Sequence, residues 1–427
     1  MRSLLRPVVL LLALLLPAAT AACTLAAPGA PPDDDTVAVL GPWTGIQEKR
    51  FTELLKGFGI PFTYQGTAAQ REVLLSQLQT GTAPDVAIMP GVGELAEYAA
   101  DGHLKPLTWL AASERNAYGS PWQPRPADGK PYWLPVKADL KSIVWYREDS
   151  ARPTAPAPAA AWCIGMGDDG ASGWPGSDWI EDLVLQSQGP EVYEDWVNGA
   201  VRWTDRRIVT AWQAWGRMIA QGGKALQARA LLTDHRGSPS GARGLLFGGQ
   251  DCTREHQGSF APAAFYGDKA PAARFTDSAP LLPGGPYRQR GHEVSADFAV
   301  LFNDTPQARA LLRTLVSRTG QQAWTDQDRG RIFSARTDVA PAADAGTAAR
   351  LTGRTGAARC LDASDAMSPA VRDAFYDSVL EYLADPDSER LEKEKLPGLQ
   401  KVSEAERARA AKLGKPRGLT GVCDVPR

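Results

Sequence analysis

The sequence predicts an α/β fold of two lobes, and three observations support this class. Strand-like and helix-like segments alternate with short turns from Thr36 to Ala100, which is typical of a parallel sheet with helices on both faces. The chain has 427 residues, more than one ordinary core accommodates. An extended aromatic segment, Tyr132–Tyr146, precedes the proline-rich Arg152–Ala161, as expected where a chain leaves one lobe and enters the next.

The N-terminus indicates an exported protein. Two arginines precede the apolar stretch Val8–Leu16, and small residues then lead to Cys23, so residues 1–22 are interpreted as a signal peptide, too short to span a membrane. A cysteine at this place resembles the lipidated residue of a bacterial lipoprotein; ordinary cleavage near Ala22 with full secretion is the alternative. Residues 23–35 are small and proline-rich, and we expect a lipid-anchored tether there.

The first lobe begins with three apolar strands, each followed by a helix with apolar residues three and four positions apart. In order, the predicted elements are Thr36–Leu40, Gln47–Phe58, Pro61–Tyr64, Arg71–Gln79, Asp85–Met89 and Gly93–Ala100. Ligands bind at the carboxyl ends of strands in such sheets, where Trp43, Thr44 and Thr67 lie. No dinucleotide fingerprint or phosphate loop follows these strands, so no nucleotide cofactor is expected.

Later segments predict further helices and one strand. The expected elements are a helix Asp178–Ser187 started by the capping box Asp178-x-x-Glu181, a helix Arg207–Ala220, a strand Ala299–Phe302, a helix capped by Asp304 and running to Ser317, a helix from Ser368 to Ala384, and a charged, solvated helical segment Asp387–Lys415.

Cysteine content and charge restrict the chemistry. Cys163, Cys252, Cys360 and Cys423 are an even number in an exported chain, which predicts two disulfides with three possible connectivities; single buried thiols are the alternative. No two form a Cys-x-x-Cys motif, so no metal or redox site is expected. The formal charge is −2, and −4 once the two arginines of the signal are removed, which argues against nucleic-acid binding and electrostatic membrane binding.

The sequence contains no arrangement typical of an enzyme. None of the four histidines belongs to a His-Glu-x-x-His pair, and no Gly-x-Ser-x-Gly elbow is present. The acidic pairs Asp168-Asp169 and Glu181-Asp182 are interpreted as solvated surface. We therefore expect no catalytic residue, no cofactor and no metal.

Two segments, Gly170–Trp179 and Cys252–Phe260, combine aromatic and polar residues in a way that suits a sugar. Aromatic rings stack on the C–H faces of a sugar, while carboxylates and amides bond its hydroxyl groups. The alternative is that both tryptophans belong to the core and that Asp178 only caps a helix. The candidate ligand residues of these segments are Trp174, Asp178, Trp179, Gln257 and Phe260.

Several motifs together make the chain similar to a known family. They are Gly66-Thr67, Pro84–Ala87, Leu95 to Leu107, Leu140–Tyr146, Trp162–Gly165, Ser172–Asp182, Gln257–Phe260 and Asp362–Met367. From Thr36 to Tyr382 the chain resembles the family-1 extracellular solute-binding proteins of ABC sugar importers, of the maltose/α-glucoside type. It departs from them at Val294–Asp297, where a glycine-rich run usually precedes the aspartate.

The resemblance implies a two-lobed periplasmic-binding-protein-like fold of type II, with the ligand cleft between the lobes. Lobe 1 would comprise residues 36–140 and 290–335, and lobe 2 residues 141–289 and 336–427. The resemblance also implies a Cys163–Cys252 disulfide, which leaves Cys360 to pair with Cys423. In the cleft, Trp43, Trp174 and Phe260 would stack on the sugar, Asp178, Gln257 and Asp297 would bond its hydroxyls, and Thr44, Thr67 and Trp179 complete the candidate set.

The expected function is that of a monomeric, lipid-anchored binding protein on the extracytoplasmic face of the cell membrane. It would capture an α-glucoside or another oligosaccharide and deliver it to ABC permease subunits without performing chemistry. Two alternatives stay open: an exported, lipid-anchored glycosidase, and the same fold serving a non-sugar solute such as a polyamine or a metal ion.

Overall fold

The computed structural model describes residues 35–237, 243–249, 251–327, 332–340, 344–415 and 418–425. The predicted signal peptide, Cys23 and nearly all of the tether lie outside these ranges. Within them, no helix combines the length and the apolar character needed to cross a membrane.

The described residues form ten strands. They are β1 (Val37–Gly41), β2 (Phe62–Gly66), β3 (Val86–Met89), β4 (Trp133–Leu140), β5 (Ile143–Arg147), β6 (Arg254–His256), β7 (Ala273–Asp277), β8 (Gly291–Leu301), β9 (Ala358–Leu361) and β10 (Cys423–Asp424).

Sixteen α-helices lie in the same part of the chain. They are α1 (Gly45–Lys56), α2 (Gln70–Thr80), α3 (Val92–Ala100), α4 (Ala112–Asn116), α5 (Trp174–Gln188), α6 (Pro190–Val197), α7 (Arg206–Gln221), α8 (Gly223–Leu232), α9 (Ala261–Ala264), α10 (Pro306–Val316), α11 (Arg318–Gln327), α12 (Ala345–Leu351), α13 (Ala363–Ala366), α14 (Pro369–Ala384), α15 (Ser388–Arg390) and α16 (Leu396–Lys412).

The larger sheet has seven strands and is organised by β8. Its order is β10-β9-β8-β3-β1-β2, and β4 also pairs with β8. The strands β1, β2 and β3 are parallel, as predicted, whereas β8 runs antiparallel to β3 and β4 and parallel to β9. Since this sheet takes strands from both predicted lobes, the lobe boundaries stay a prediction.

The smaller sheet is antiparallel, with the order β6-β5-β7. A disulfide, Cys163–Cys252, joins the segment before α5 to the segment before β6, and a second, Cys360–Cys423, joins β9 to β10. Both pairs are the ones that the family resemblance implies. The first disulfide brings together the two aromatic–polar segments that the sequence singled out.

Two apolar cores support the sheets and helices. The first surrounds the strands of the larger sheet and includes Phe51, Ile88 and Leu301. The second lies among α5, α7 and α14 and includes Trp212 and Phe375. Both groups of side chains are almost fully buried, so the apolar periodicity of these helices is explained by burial of one face.

The helix α5 begins at Trp174, four residues before its predicted start. Gly173 precedes it with φ 105°, a left-handed conformation that glycine adopts without strain. The predicted capping box is therefore wrong, because Asp178 and Glu181 both lie inside the helix and are buried. Glu181 instead forms a hydrogen bond with another helix, because its Oε2 accepts from the N–H of Ala363 in α13 at 2.7 Å.

Three other expectations are corrected. The acidic pair Glu181-Asp182, interpreted from the sequence as solvated surface, is fully buried. Thr305, not Asp304, caps α10: the Thr305 Oγ1 accepts from the N–H of Ala308 at 3.1 Å, whereas Asp304 pairs with Arg309. The predicted strand Ala299–Phe302 overlaps only the end of β8, which starts at Gly291. Polar and charged residues in the first half of β8, such as His292 and Glu293, hide its strand character although they are buried.

Candidate functional site

Three charged residues on β4 and just beyond it define the candidate site. Lys137, Asp139 and Lys141 occupy alternate positions of an otherwise apolar segment and are all buried. Residues two apart in a strand point to the same face of the sheet. The pattern therefore aims three charges at one buried region.

Lys141 contacts three of the sequence-predicted ligand residues. Its Nζ lies 2.7 Å from the Asp178 Oδ2, 4.8 Å from the ring centre of Trp174 and 5.7 Å from that of Phe260. It also lies 3.1 Å from the Oδ2 of Asp362. An ammonium group placed over aromatic faces is attracted by their negative ring centres. The structure thus brings Trp174, Asp178 and Phe260 together around one lysine.

Lys137 organises the neighbouring part of the site. Its Nζ lies 2.5 Å from the Asp139 Oδ2, 3.9 Å from the Asp297 Oδ2 and 5.9 Å from the ring centre of Phe260. The Oγ of Ser259 donates to Asp139 at 2.9 Å. The ring centre of Phe260 is therefore within 6 Å of both ammonium groups, and Phe260 is common to the two parts of the site.

Asp297 connects this region to the end of β1. Burial raises the pKa of Asp297 to about 6, partly offset by Lys137 and by a hydrogen bond from Trp43. Trp43 itself is 5% exposed and belongs to the first core, with its ring 4.7 Å from that of Phe51 and 5.6 Å from that of Trp324. For this ring, as for Trp179, the structure favours packing over sugar stacking. A narrow groove beside it is lined by Trp43, Gln47, Arg50, Lys137, Ala263, Trp324 and Ile332.

Trp174 is oriented by polar contacts at the start of α5. Its Nε1 donates to the Asp168 Oδ2 at 2.8 Å, and its ring lies 4.9 Å from that of His235 and 6.1 Å from that of Phe260. Its side chain is half-buried, and the two apolar cores of the described residues do not include it. This placement fits a ligand-facing ring better than a core residue.

Trp179 lies in a different environment. It is 3% exposed and belongs to the second core, where it stacks on His256 at 4.6 Å and meets Trp162 edge-on at 4.6 Å. Of the two alternatives for this residue, the structure favours packing.

The remaining candidates lie at strand ends or are engaged locally. Thr44 is exposed just before α1, and Thr67 follows β2, where its Oγ1 accepts from the N–H of Ala69 at 3.1 Å. The ends of β1 and β2 are adjacent, because Thr67 donates its N–H to the carbonyl of Gly41. Gln257 is buried, and its Oε1 accepts from the N–H of Gly258 at 3.0 Å. Thr44 and Thr67 thus share one sheet edge.

A group of buried carboxyls lies behind Lys141. Burial raises the pKa of Asp178 to about 6 despite the lysine, and it also raises the pKa values of Glu181 and Glu293. Burial acts the same way on Asp362, but Lys141 and hydrogen bonds outweigh it and lower its pKa. Oxygen atoms of Asp178, Glu181 and Asp362 lie within 4.8 Å of one another, a spacing that could hold a metal ion. The ammonium group of Lys141 already provides a positive charge next to two of these three carboxylates, those of Asp178 and Asp362.

Sequence reasoning missed Lys137, Asp139 and Lys141 as site residues. The signal was present, because charged residues at every second position of an otherwise apolar strand predict a polar site on one face. Asp362 lies in a motif that carried the family resemblance, but nothing local indicated that it meets Lys141.

Comparison with known proteins places the chain in a family. The family model described as "Bacterial extracellular solute-binding protein" matches residues 35–322. The chain belongs to this family. The resemblance inferred from the motifs is confirmed. The alpha-glucosides-binding periplasmic protein AglE of Rhizobium meliloti (strain 1021) is 30% identical over 338 residues, which cover 68% of this chain and 70% of AglE.

Other proteins of similar sequence or structure give a consistent result. The osmoprotective compounds-binding protein GgtB of Synechocystis sp. (strain ATCC 27184 / PCC 6803 / Kazusa) is 29% identical over 309 residues, covering 66% of this chain and 72% of GgtB. The solute receptor AcbH, described with a preference for β-D-galactopyranose, superposes with a TM-score of 0.67 at 15% identity, covering 89% of this chain and all of AcbH. The maltose–maltodextrin binding protein of Alicyclobacillus acidocaldarius gives 0.58 at 14% identity, covering 86% and 100%. These structures show the two-lobed fold.

Proposed function

We propose that this solute-binding protein captures a carbohydrate, an α-linked glucoside, and delivers it to the permease subunits of an ABC importer. The observation that carries the proposal is the pair of rings, Trp174 and Phe260, 6.1 Å apart, beside the Asp178 carboxylate. Aromatic faces suit the C–H side of a sugar ring, and carboxylates accept from its hydroxyls. The name of AglE supports the α-glucoside class.

A second group of residues supports a ligand longer than one sugar ring. Asp297 and Lys137 form a polar region next to Phe260, beside the groove that Ala263 also lines. Because Phe260 also lies 6.1 Å from Trp174, it is common to both regions, which would provide adjacent subsites. An oligosaccharide would occupy both.

The charges favour binding over hydrolysis. A glycosidase uses two carboxyl groups on either side of the scissile bond, one of them as a general acid. Here Asp178 pairs with Lys141 at 2.7 Å and Asp297 lies 3.9 Å from Lys137. Each carboxylate is held by a cation, and this arrangement suits the acceptance of hydroxyl hydrogens. We therefore propose a protein that returns its ligand unchanged.

A thermal-shift screen of the purified protein tests the proposal. Maltose, maltotriose, trehalose and sucrose represent α-linked glucose, while cellobiose, galactose and spermidine represent other classes. A ligand at a hundred times its Kd stabilises the folded state by about 2.7 kcal/mol, so a true ligand raises the melting temperature measurably. A shift with spermidine and with no sugar contradicts the proposal, and release of glucose from any bound sugar shows hydrolysis instead.

We further propose that the protein is a monomer anchored through a lipid on Cys23. The substitution Cys23→Ser removes the lipid attachment site, so the variant should move from the membrane fraction to the medium. Wild-type protein found in the medium would indicate simple secretion, and a variant that stays with the membrane would exclude lipid attachment at Cys23. Size-exclusion chromatography of the released form tests the monomer.

A further inference from the structure

Lys141 contacts the aromatic rings and the carboxylates of the ligand site near the start of α5. Its ammonium contacts the carboxylates of Asp178 and Asp362 and lies over the rings of Trp174 and Phe260. The four partners come from α5, from the turn before α13 and from the turn before α9. One side chain therefore contacts three separate segments, which are also linked by the Cys163–Cys252 disulfide and by the hydrogen bond from Ala363 to Glu181. Lys141 is the side chain that contacts both rings and both carboxylates.

The position of Lys141 is fixed by its backbone. Its N–H donates to the carbonyl of Glu293 at 2.8 Å, and its carbonyl accepts from the N–H of Ile143 at 2.5 Å. The next residue, Ser142, is fully buried and accepts from the N–H of Glu293 at 2.9 Å. With the backbone anchored to β8 and the side chain 7% exposed, the ammonium has little freedom to move.

The charge of Lys141 is needed where it lies. Asp178 and Asp362 are both buried, and an ionised carboxylate in such surroundings is strongly destabilising without a partner. Burial by itself lowers the pKa of Lys141, but the two carboxylates outweigh it and hold this pKa well above its ordinary value. Lysine therefore stays charged across the range in which Asp178 titrates.

We propose that Lys141 is a positioning residue of the ligand site, which holds the Asp178 carboxylate ionised and keeps the rings of Trp174 and Phe260 at the spacing that receives the ligand. The inference rests on the proposed function, because it assigns a role within the same site. Lys141 acts through these side chains rather than through a ligand contact of its own.

Several other titratable groups lie near Asp178, and their protonation also affects how stability depends on pH. The charged and titratable side chains that interact with Asp178 or with its acidic neighbours are Lys141, Glu181, Tyr193, His256, Glu293, Asp362, Asp365, Arg372 and Tyr376. Comparison of single and double variants at Lys141 and Asp178 separates the effect of this pair from the effect of the remaining groups.

The first test uses no ligand. Without the lysine, the pKa of Asp178 rises further above its unfolded value, so the folded state binds more protons than the unfolded state over a wider pH range. The stability of Lys141→Met should therefore fall more steeply than that of wild type between pH 5 and pH 8. Adding Asp178→Asn removes one of the two carboxylates that lose their cation and should recover part of the loss at pH 8, while Asp362 keeps its hydrogen bonds from Ser364 and Asp365. Lys130→Met, on an exposed lysine, is the control for the substitution itself.

The second test measures affinity for maltose, trehalose and sucrose by calorimetry under conditions in which each variant is folded. Lys141→Met should weaken binding at least tenfold, and the double variant should stay weak although part of its stability recovers. Binding by Lys141→Met within twofold of wild type overturns the proposal, and so does a stability profile parallel to that of wild type. If the wild type binds none of the sugars, the proposed function fails, while the ligand-free test still decides whether Lys141 holds Asp178.

Discussion

Arg372 of α14 donates to Glu94 of α3 at 3.4 Å, although the two residues are 278 positions apart in the chain. Glu94 also lies 3.6 Å from Arg71 and accepts from the hydroxyl of Tyr98 at 2.7 Å. Arg71 in turn pairs with Asp373 at 2.7 Å. The network joins the helices that follow β2 and β3 to α14, and the Glu94 side chain is only 6% exposed.

Substitution of Glu94 tests how much this network contributes. Glu94→Gln removes the charge that two arginines share, so we expect the free energy of unfolding to fall by about 1.5–3 kcal/mol. Chemical denaturation measures the loss, with Glu53→Gln on the exposed side of α1 as a control expected within about 0.5 kcal/mol of wild type. If the losses for Glu94→Gln and Arg372→Met simply add in the double variant, the two residues are not energetically coupled.

Trp174 and Trp179 provide a matched pair on one helix. Trp174→Ala should weaken sugar binding by about 1–3 kcal/mol, roughly ten- to a hundredfold, because a stacking face is lost. The melting temperature without ligand should change little, since Trp174 lies outside both described cores. Trp179→Ala should instead lower stability by about 3–5 kcal/mol, as for a buried aromatic residue.

Calorimetric affinity and ligand-free melting, measured for both tryptophan variants, separate the two roles. A steep loss of stability for Trp174→Ala with near-normal affinity at low temperature would identify Trp174 as a packing residue. The sugar-stacking argument would then lose its main support.

Local sequence was sufficient for much of the fold because the strands β1 and β3 and the helices α1, α2 and α3 show regular apolar periodicity. The family motifs identified the pairing of Cys163 with Cys252, which spacing left open. The start of α5 was misplaced because Asp178 has the local pattern of a cap, while its actual partner, Lys141, lies 37 residues away in the chain. Such a tertiary ion pair leaves no local periodic signal.

Only part of the candidate site could be predicted, again because tertiary contacts leave no local signal in the sequence. Aromatic residues flanked by glycine and proline, such as Trp174, are visible in the sequence, whereas the role of Lys141 depends on where β4 ends relative to α5 and α13. The long strand β8 was recognised only at its apolar end, since Glu293 and Asp297 interrupt the expected pattern. A sequence pattern based on apolar periodicity assigns polar residues to the surface, so it misses polar residues that are buried in a site.

Glu255 should make stability depend on pH. It is 1% exposed on β6, and burial raises its pKa to about 8, partly offset by hydrogen bonds from the hydroxyl of Tyr266 and the N–H of Leu246, each at 3.1 Å. The folded state therefore keeps a proton that the unfolded state has lost above its ordinary pKa near 4.5. By linkage, stability falls as the pH rises from about 4.5 to about 8.

Glu255→Gln mimics the protonated acid and should remove this contribution. The difference in unfolding free energy between variant and wild type should shift in favour of the variant by roughly 1.4 kcal/mol per pH unit over that range. Denaturation curves at pH 5, 6, 7 and 8 measure the shift. Parallel profiles for the two proteins would show that Glu255 is not held protonated in the folded state.

Gly93 and Gly398 lie in helices, α3 and α16, but only one of them has a neighbour at contact distance. A Cβ atom on Gly93 would lie 1.8 Å from the carbonyl oxygen of Met367, next to α13, whereas a Cβ on Gly398 would meet nothing within 4 Å.

Gly93→Ala must therefore displace backbone, and we expect a loss of about 1–3 kcal/mol in the free energy of unfolding. Gly398→Ala should be neutral or should stabilise the protein by up to about 1 kcal/mol through helix propensity. Chemical denaturation of both variants measures the contrast, and equal effects would mean that the close contact between α3 and the segment around Met367 is absent in solution. Met367 follows α13, whose N-cap Asp362 pairs with Lys141 and whose first residue, Ala363, donates to Glu181. Gly93→Ala should therefore also weaken sugar binding, while Gly398→Ala should leave it unchanged.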